Sequence, residues 1–157
     1  MEPSMSDIIS RPRTVRTAEL FCGEAAVDAL ADLADQAFAT SAPVAGLLLG
    51  GFCWDEGGIY AEVTGLSPGG VDPTVAVGWF RTAEEDGCRP TVEDLQAVHR
   101  LFGNGPAYLI LVDCAQSSFA VFAVERGRPR PAAFVIAEGR RSDPDCMPVA
   151  HVLFGDA

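Results

Sequence analysis

Apolar residues recur at helical spacing from Glu24 to Ala39: Val27, Leu30, Ala31, Ala34 and Phe38 predict a buried stripe, with Asp28, Asp32 and Asp35 opposite. Pro43 prevents that helix from continuing. A short strand is predicted before it, around Val15–Phe21. After it, Val44–Trp54 is an apolar run and Ile59–Leu66 alternates, which predicts two strands. Asp55-Glu56-Gly57-Gly58 between them has the composition of a hairpin turn. Ser67–Pro73 reads as a loop, Val75–Phe80 as a strand, and Thr82–Pro90 as a polar segment turning at Asp86-Gly87. A second helix is expected from Thr91, with Val92, Leu95, Val98 and Phe102 inward and Gly103 as its stop. Ala107–Val112, Phe119–Val124 and Ala132–Ala137 are the remaining strand candidates, the last two separated by an Arg-Gly-Arg-Pro-Arg turn.

The order strand, helix, three strands, helix, then two or three strands predicts an α/β (α+β) fold with a mixed central sheet flanked by helices. Residues 1–12 are polar, contain two prolines and read as a loose tail. Residues 13–157 form a single domain, since the full chain of 157 residues leaves no room for two ordinary cores. Val149–Phe154 is a short apolar end that would dock on this domain.

Composition narrows the function classes. Hydrophobic residues make up 48% and charged residues 21%, a globular balance. The net charge of −11 repels phosphate backbones, so nucleic acid is not the expected partner. Arg126, Arg128, Arg130, Arg140 and Arg141 cluster late in the chain and read as solvated loop residues. Cys22, Cys53, Cys88, Cys114 and Cys146 are odd in number, scattered and without a CxxC pair, a usage suited to a reducing cytosol. Neither a signal peptide nor an apolar stretch of membrane-spanning length is present, so a cytoplasmic location without membrane contact is expected.

Two segments carry a resemblance. Pro43-Val44-Ala45-Gly46-Leu47-Leu48-Leu49-Gly50 resembles the strand that follows the first helix of the MPN (JAB/JAMM) family. Val77-Gly78-Trp79-Phe80-Arg81-Thr82-Ala83, followed by Thr91-Val92-Glu93-Asp94, is similar to the family's Val-Gly-Trp-Tyr-His-Ser-His and, seven residues on, Ser-x-x-Asp. The resemblance extends roughly from Val15 to Val124 and implies an MPN/JAB-like sandwich. Active members hold zinc with two histidines and an aspartate, leaving one position for a water whose proton a glutamate accepts. Carried over, the glutamate position is Pro43, the histidine positions are Arg81 and Ala83, and the serine position is Thr91; Asp94 alone is retained. A proline, a guanidinium and a methyl group supply no zinc ligand. One carboxylate beside an arginine does not recover the ~10–16 kcal/mol of a full ligand set. The resemblance therefore implies a member without catalytic residues, metal or other cofactor.

The remaining chemistry-bearing residues have plainer readings. Thr91-x-x-Asp94 is a capping box. Arg81 and Asp94, neighbours in the family's metal centre, are expected to form an ion pair. His99 lies on another face of the second helix from Asp94, and His151 is remote. Cys88 beside Arg89 lacks a base to activate it, and Glu84, Glu85, Asp86, Glu93 and Asp94 match no cation-binding loop. Trp54 and Trp79 read as core or groove aromatics, and Trp79, Phe80, Arg81 and Thr82 are the candidate interaction residues. The expected function is a non-catalytic interaction or scaffold module that binds a protein partner or a second copy of itself. The alternatives are a divergent metal-dependent isopeptidase and a module gripping a peptide tail in the old catalytic groove.

Overall fold

The computed structural model describes residues 18–70, 75–83, 88–115 and 118–137. The expected N-terminal tail, the acidic loop residues Glu84, Glu85 and Asp86, and Val149–Phe154 with His151 lie outside the described residues. Chain order is β1 (Leu20–Gly23), α1 (Glu24–Thr40), β2 (Ala45–Asp55), β3 (Gly58–Pro68) and β4 (Ala76–Ala83). These are followed by α2 (Val92–Phe102), β5 (Ala107–Asp113), β6 (Ser118–Glu125), β7 (Arg128–Pro131) and β8 (Phe134–Ala137).

The β2–β3 hairpin forms at the predicted turn, where the Gly57 N–H donates to Asp55 Oδ1 at 2.7 Å. Gly58 takes a φ of 109°, open to glycine and rarely to other residues. The strands run further than the local pattern predicts. Ser67 and Pro68 pair with Leu47 and Gly46 in place of a loop, and Arg81–Ala83 continue β4 along β5. Among the described residues four strands follow α2, because Arg128–Arg130, expected within a turn, join Pro131 in a strand that pairs with Phe122–Glu125. Both corrections have one cause: a polar strand is stabilised by a neighbour that local composition does not announce.

The eight strands among the described residues form one mixed sheet in the order β7-β6-β5-β4-β2-β3-β1-β8. Its terminal strands are consecutive in the chain, separated only by Ala132 and Ala133, which requires the sheet to curl. The Ala132 N–H donates to the Val121 carbonyl at one end, and the Glu19 N–H to the Ala133 carbonyl at the other. The Phe119 and Phe134 rings, 6.1 Å apart, lie across the same closure.

Helix α1 lies in the curl. Ala26, Leu30, Ala34 and Ala37 pack there with Leu20, Cys22, Leu48, Ala61, Val63, Val77, Phe80, Tyr108, Ile110 and Val112. The buried face is thus turned relative to the predicted stripe: Ala31 and Phe38 face outward, and Phe38 is 57% exposed. Small residues let the helix approach the concave sheet closely, so alanines line the contact where larger side chains were expected. Helix α2 packs on the convex face, where Val98, Leu95 and Phe102 meet Ala107, Leu109, Leu111, Val124 and Trp79. Val92, predicted inward, is exposed, and the buried positions in its helix are Asp94, Ala97 and Val98.

Candidate functional site

Strand β4 delivers Arg81 near its C-terminal end, between Ala45 of β2 and Leu111 of β5. The register of β4 shifts between Leu48 and Leu49 of its neighbour. The shift changes the facing of the strand, so Val77 and Phe80 both point into the α1 core. Trp79 then faces α2, and alternation puts Arg81 on the same convex side. Position 78, between Val77 and Trp79, is glycine because a Cβ there would collide with the Tyr108 carbonyl of the adjacent strand.

Thr91 caps α2. Its Oγ1 accepts from the Asp94 N–H at 3.2 Å, and the Thr91 N–H donates to Asp94 Oδ2 at 2.8 Å, completing the predicted capping box. The same carboxylate meets Arg81 in a fork: Nε donates to Oδ1 at 2.6 Å and Nη2 to Oδ2 at 2.8 Å. Nη2 also lies 3.5 Å from the Arg89 carbonyl, a contact for which the sequence offers no signal. Asp94 is 3% exposed and Arg81 20% exposed, so the pair is largely withdrawn from water. Burial by itself would raise the Asp94 carboxyl. The hydrogen bonds from Arg81 and the Thr91 backbone, with the guanidinium charge, prevail and hold it below the usual carboxylate range.

The other expected site positions divide. Pro43 is exposed at the entry to β2, and Ala83 is buried, its carbonyl accepting from the Cys114 N–H at 3.0 Å. Thr82 is also buried: its Oγ1 accepts from the Val44 N–H at 3.0 Å, and its own N–H donates to the Val44 carbonyl at 2.9 Å. Phe80 is completely buried. Thus Phe80 and Thr82 face the core and present no interaction surface, whereas Trp79 and Arg81 are half-buried at its edge. Trp54, expected in core or groove, is 72% exposed at the far end of the β2–β3 hairpin. Cys88 packs beside Leu111, with Sγ 3.8 Å from its carbonyl, and His99 is exposed on α2.

These residues do not fit a zinc ion. Both Asp94 oxygens accept from Arg81, one of them also from the Thr91 N–H, and the positively charged guanidinium stands where the metal would need a neutral ligand. Among the described residues, no group of three or more His, Cys, Asp or Glu side chains is placed to hold a metal. No helix among them is long and apolar enough to cross a membrane.

No family model matches the chain, and no curated protein matches its sequence. Solved structures do. Protein DSY2949 from Desulfitobacterium hafniense, a solution structure, superposes with a TM-score of 0.52 at 16% identity over 76% of this chain and 94% of that one. A structure described as the JAMM metalloprotease-like zinc site in the proteasome and signalosome gives 0.48 at 17% identity, over 74% and 97% of the respective chains. AF2198, a JAB1/MPN domain protein from Archaeoglobus fulgidus, gives 0.45 at 16%, over 72% and 96%. The first likeness is one of fold alone, and the two looser superpositions add nothing to it. The Gly-Leu-Leu-Leu-Gly strand lies directly against the strand bearing Arg81, and Thr91-x-x-Asp94 opens the helix beside them, in a mixed α+β fold similar to that of DSY2949.

Proposed function

We propose that this chain is a non-catalytic MPN-like domain that acts as a protein-interaction module. The observation that carries the reading is the Arg81–Asp94 fork. A guanidinium takes over the carboxylate that the family's zinc would use, and the capping box holds that carboxylate in place. The pair supplies no Lewis acid, and the aspartate is a poor proton acceptor, because it is held below the usual carboxylate range with three donors already on its oxygens. What it supplies is rigidity at the junction of β4 and α2.

Two measurements on the same purified protein test the loss of chemistry. Elemental analysis without chelators is expected to give far less than one zinc per chain. Incubation with isopeptide-linked ubiquitin-like conjugates is expected to leave them intact. Stoichiometric zinc together with chelator-sensitive cleavage would overturn the reading in favour of a divergent metalloisopeptidase. The half-exposed Trp79 and Arg81 also support a module that grips an extended peptide tail without cutting it. That version requires binding of such a peptide to weaken in Trp79→Ala.

A further inference from the structure

The convex face of the sheet carries a small aromatic cluster that includes no residue of either helix. Leu20 and Cys22 face the α1 core, so Phe21 between them points to the other side. On β3, Ala61 and Val63 face the same core, and Tyr60 and Glu62 turn outward with Phe21. The Phe21 and Tyr60 rings meet edge to face, 5.4 Å apart, with Ala18, Cys53 and Val135 around them. Helix α2 packs instead over β4, β5 and β6.

Phe21 and Tyr60 are nevertheless each only 2% exposed, and Ala18 3%. On a sheet face, cross-strand neighbours cover the flanks of a side chain, but only a second layer covers its outer end. Burial pushes the Tyr60 phenol above its ordinary range, and the Cys53 thiol adds to the effect. The described members of the cluster all belong to the sheet or, as Ala18, to the entrance of β1, so the covering layer lies among the other residues of this chain. Residues 71–74 leave from the end of β3 remote from Tyr60, and residues 84–87 and 116–117 are short links among β4, α2, β5 and β6. Residues 1–17 and 138–157 remain.

Two observations choose between them. Ala18, which residues 1–17 join, is itself part of the cluster. Ala137, from which residues 138–157 depart, pairs with Gly23, where the chain turns into α1 on the concave side. Charge makes the same choice. Glu62 stands beside Phe21, and Asp55-Glu56 closes the hairpin beyond Cys53, so the rim of the cluster is acidic. Residues 8–17 set Arg11, Arg13 and Arg16 among Ile8, Ile9 and Val15, with no acid. Residues 138–157 set Glu138, Asp143, Asp145 and Asp156 against two arginines.

We infer that residues 8–17 cross the convex face of β1 and β3 as a strap, with apolar side chains on Phe21 and Tyr60 and arginines toward the acidic rim. Extended, they span up to about 33 Å, more than enough to cross four strands spaced ~4.8 Å apart. Over residues 8–12 the strap takes the place of the loose tail expected from composition. It keeps closed an aromatic face that would otherwise be an apolar patch open to association. The inference is independent of the missing zinc ligands.

Disulfide trapping in the full chain tests it, because Cys53 borders the cluster. At least one of Ile9→Cys and Val15→Cys, in a Cys146→Ser background, is expected to form an intramolecular disulfide with Cys53 under mild oxidation, lost on Cys53→Ser. Trapping by neither variant would overturn the inference. So would a Cys53–Cys146 disulfide in the wild type, which would put residues 138–157 on this face. A second measurement reads the cover itself. Ile9→Asp combined with Val15→Asp should speed nitration of Tyr60 by tetranitromethane at least about tenfold. Tyr108, 3% exposed on the concave side, should stay protected and report that the domain is folded. Tyr60 as protected in this folded variant as in the wild type would also overturn the strap; if Tyr108 reacts too, the trapping result decides.

Discussion

At the residue scale the Arg81–Asp94 pair dominates the site. Removing Arg81 strands a carboxylate that is 3% exposed, so Arg81→Ala is expected to cost about 2–3 kcal/mol. Urea unfolding measures this. The double variant Arg81→Leu with Asp94→Asn should be less destabilised than Arg81→Leu alone, because the amide carries no charge to be left uncompensated and its oxygen still serves the cap. The pair also sets an acid limit. Asp94 titrates below its unfolded value, so its contribution is complete above the ordinary carboxylate value of about 4. It is lost as pH falls through the depressed native value. Wild-type stability should accordingly drop more steeply than that of Asp94→Asn as pH is lowered below about 4, in urea titrations at successive pH values. Residue identities alone showed that Pro43, Arg81 and Ala83 carry no zinc-ligating side chain. That Arg81 makes a two-point fork on Asp94 required the β4 bulge, which faces Arg81 toward α2.

At the element scale the helices show how far periodicity reaches. The capping box of α2 was legible because it depends on residues three apart on one backbone. Thr91→Ala should cost about 1 kcal/mol, read as a lowered urea midpoint with an unchanged slope. For α1 the span was legible and the buried face was not. Periodicity admitted a stripe ending in Phe38, whereas the concave sheet accepts Ala26, Leu30, Ala34 and Ala37. The structure therefore predicts that Leu30→Ala costs about 2–5 kcal/mol and Phe38→Ala well under 1, although local pattern ranks both as core. Strand β4 makes a comparable point. Gly78→Ala forces a methyl group against the Tyr108 carbonyl and should cost about 1–3 kcal/mol, measured by thermal or urea unfolding.

At the scale of the whole molecule the curl of the sheet organises everything else. A fork from Arg130 to Glu19, at 2.7 and 3.0 Å, ties β7 to the entrance of β1, and the Tyr108 hydroxyl reaches the same carboxylate at 3.4 Å. Arg130 is more than half exposed, so Arg130→Ala should change stability by less than about 1 kcal/mol, with closure left to Phe119, Phe134 and the backbone bonds at Ala132 and Ala133. The sequence by itself determined most of the elements, the α2 cap and the residue types at Pro43, Arg81 and Ala83, because each is written in residue type or short-range spacing. Tertiary structure decided the curl, the inward face of α1, the polar strand β7, the burial of Phe80 and Thr82, and the two-point geometry of the Arg81–Asp94 pair. Those outcomes depend on register and on contacts between residues far apart in the chain. A single bulge at Val77 reverses which side chains face the core, and no local pattern records it.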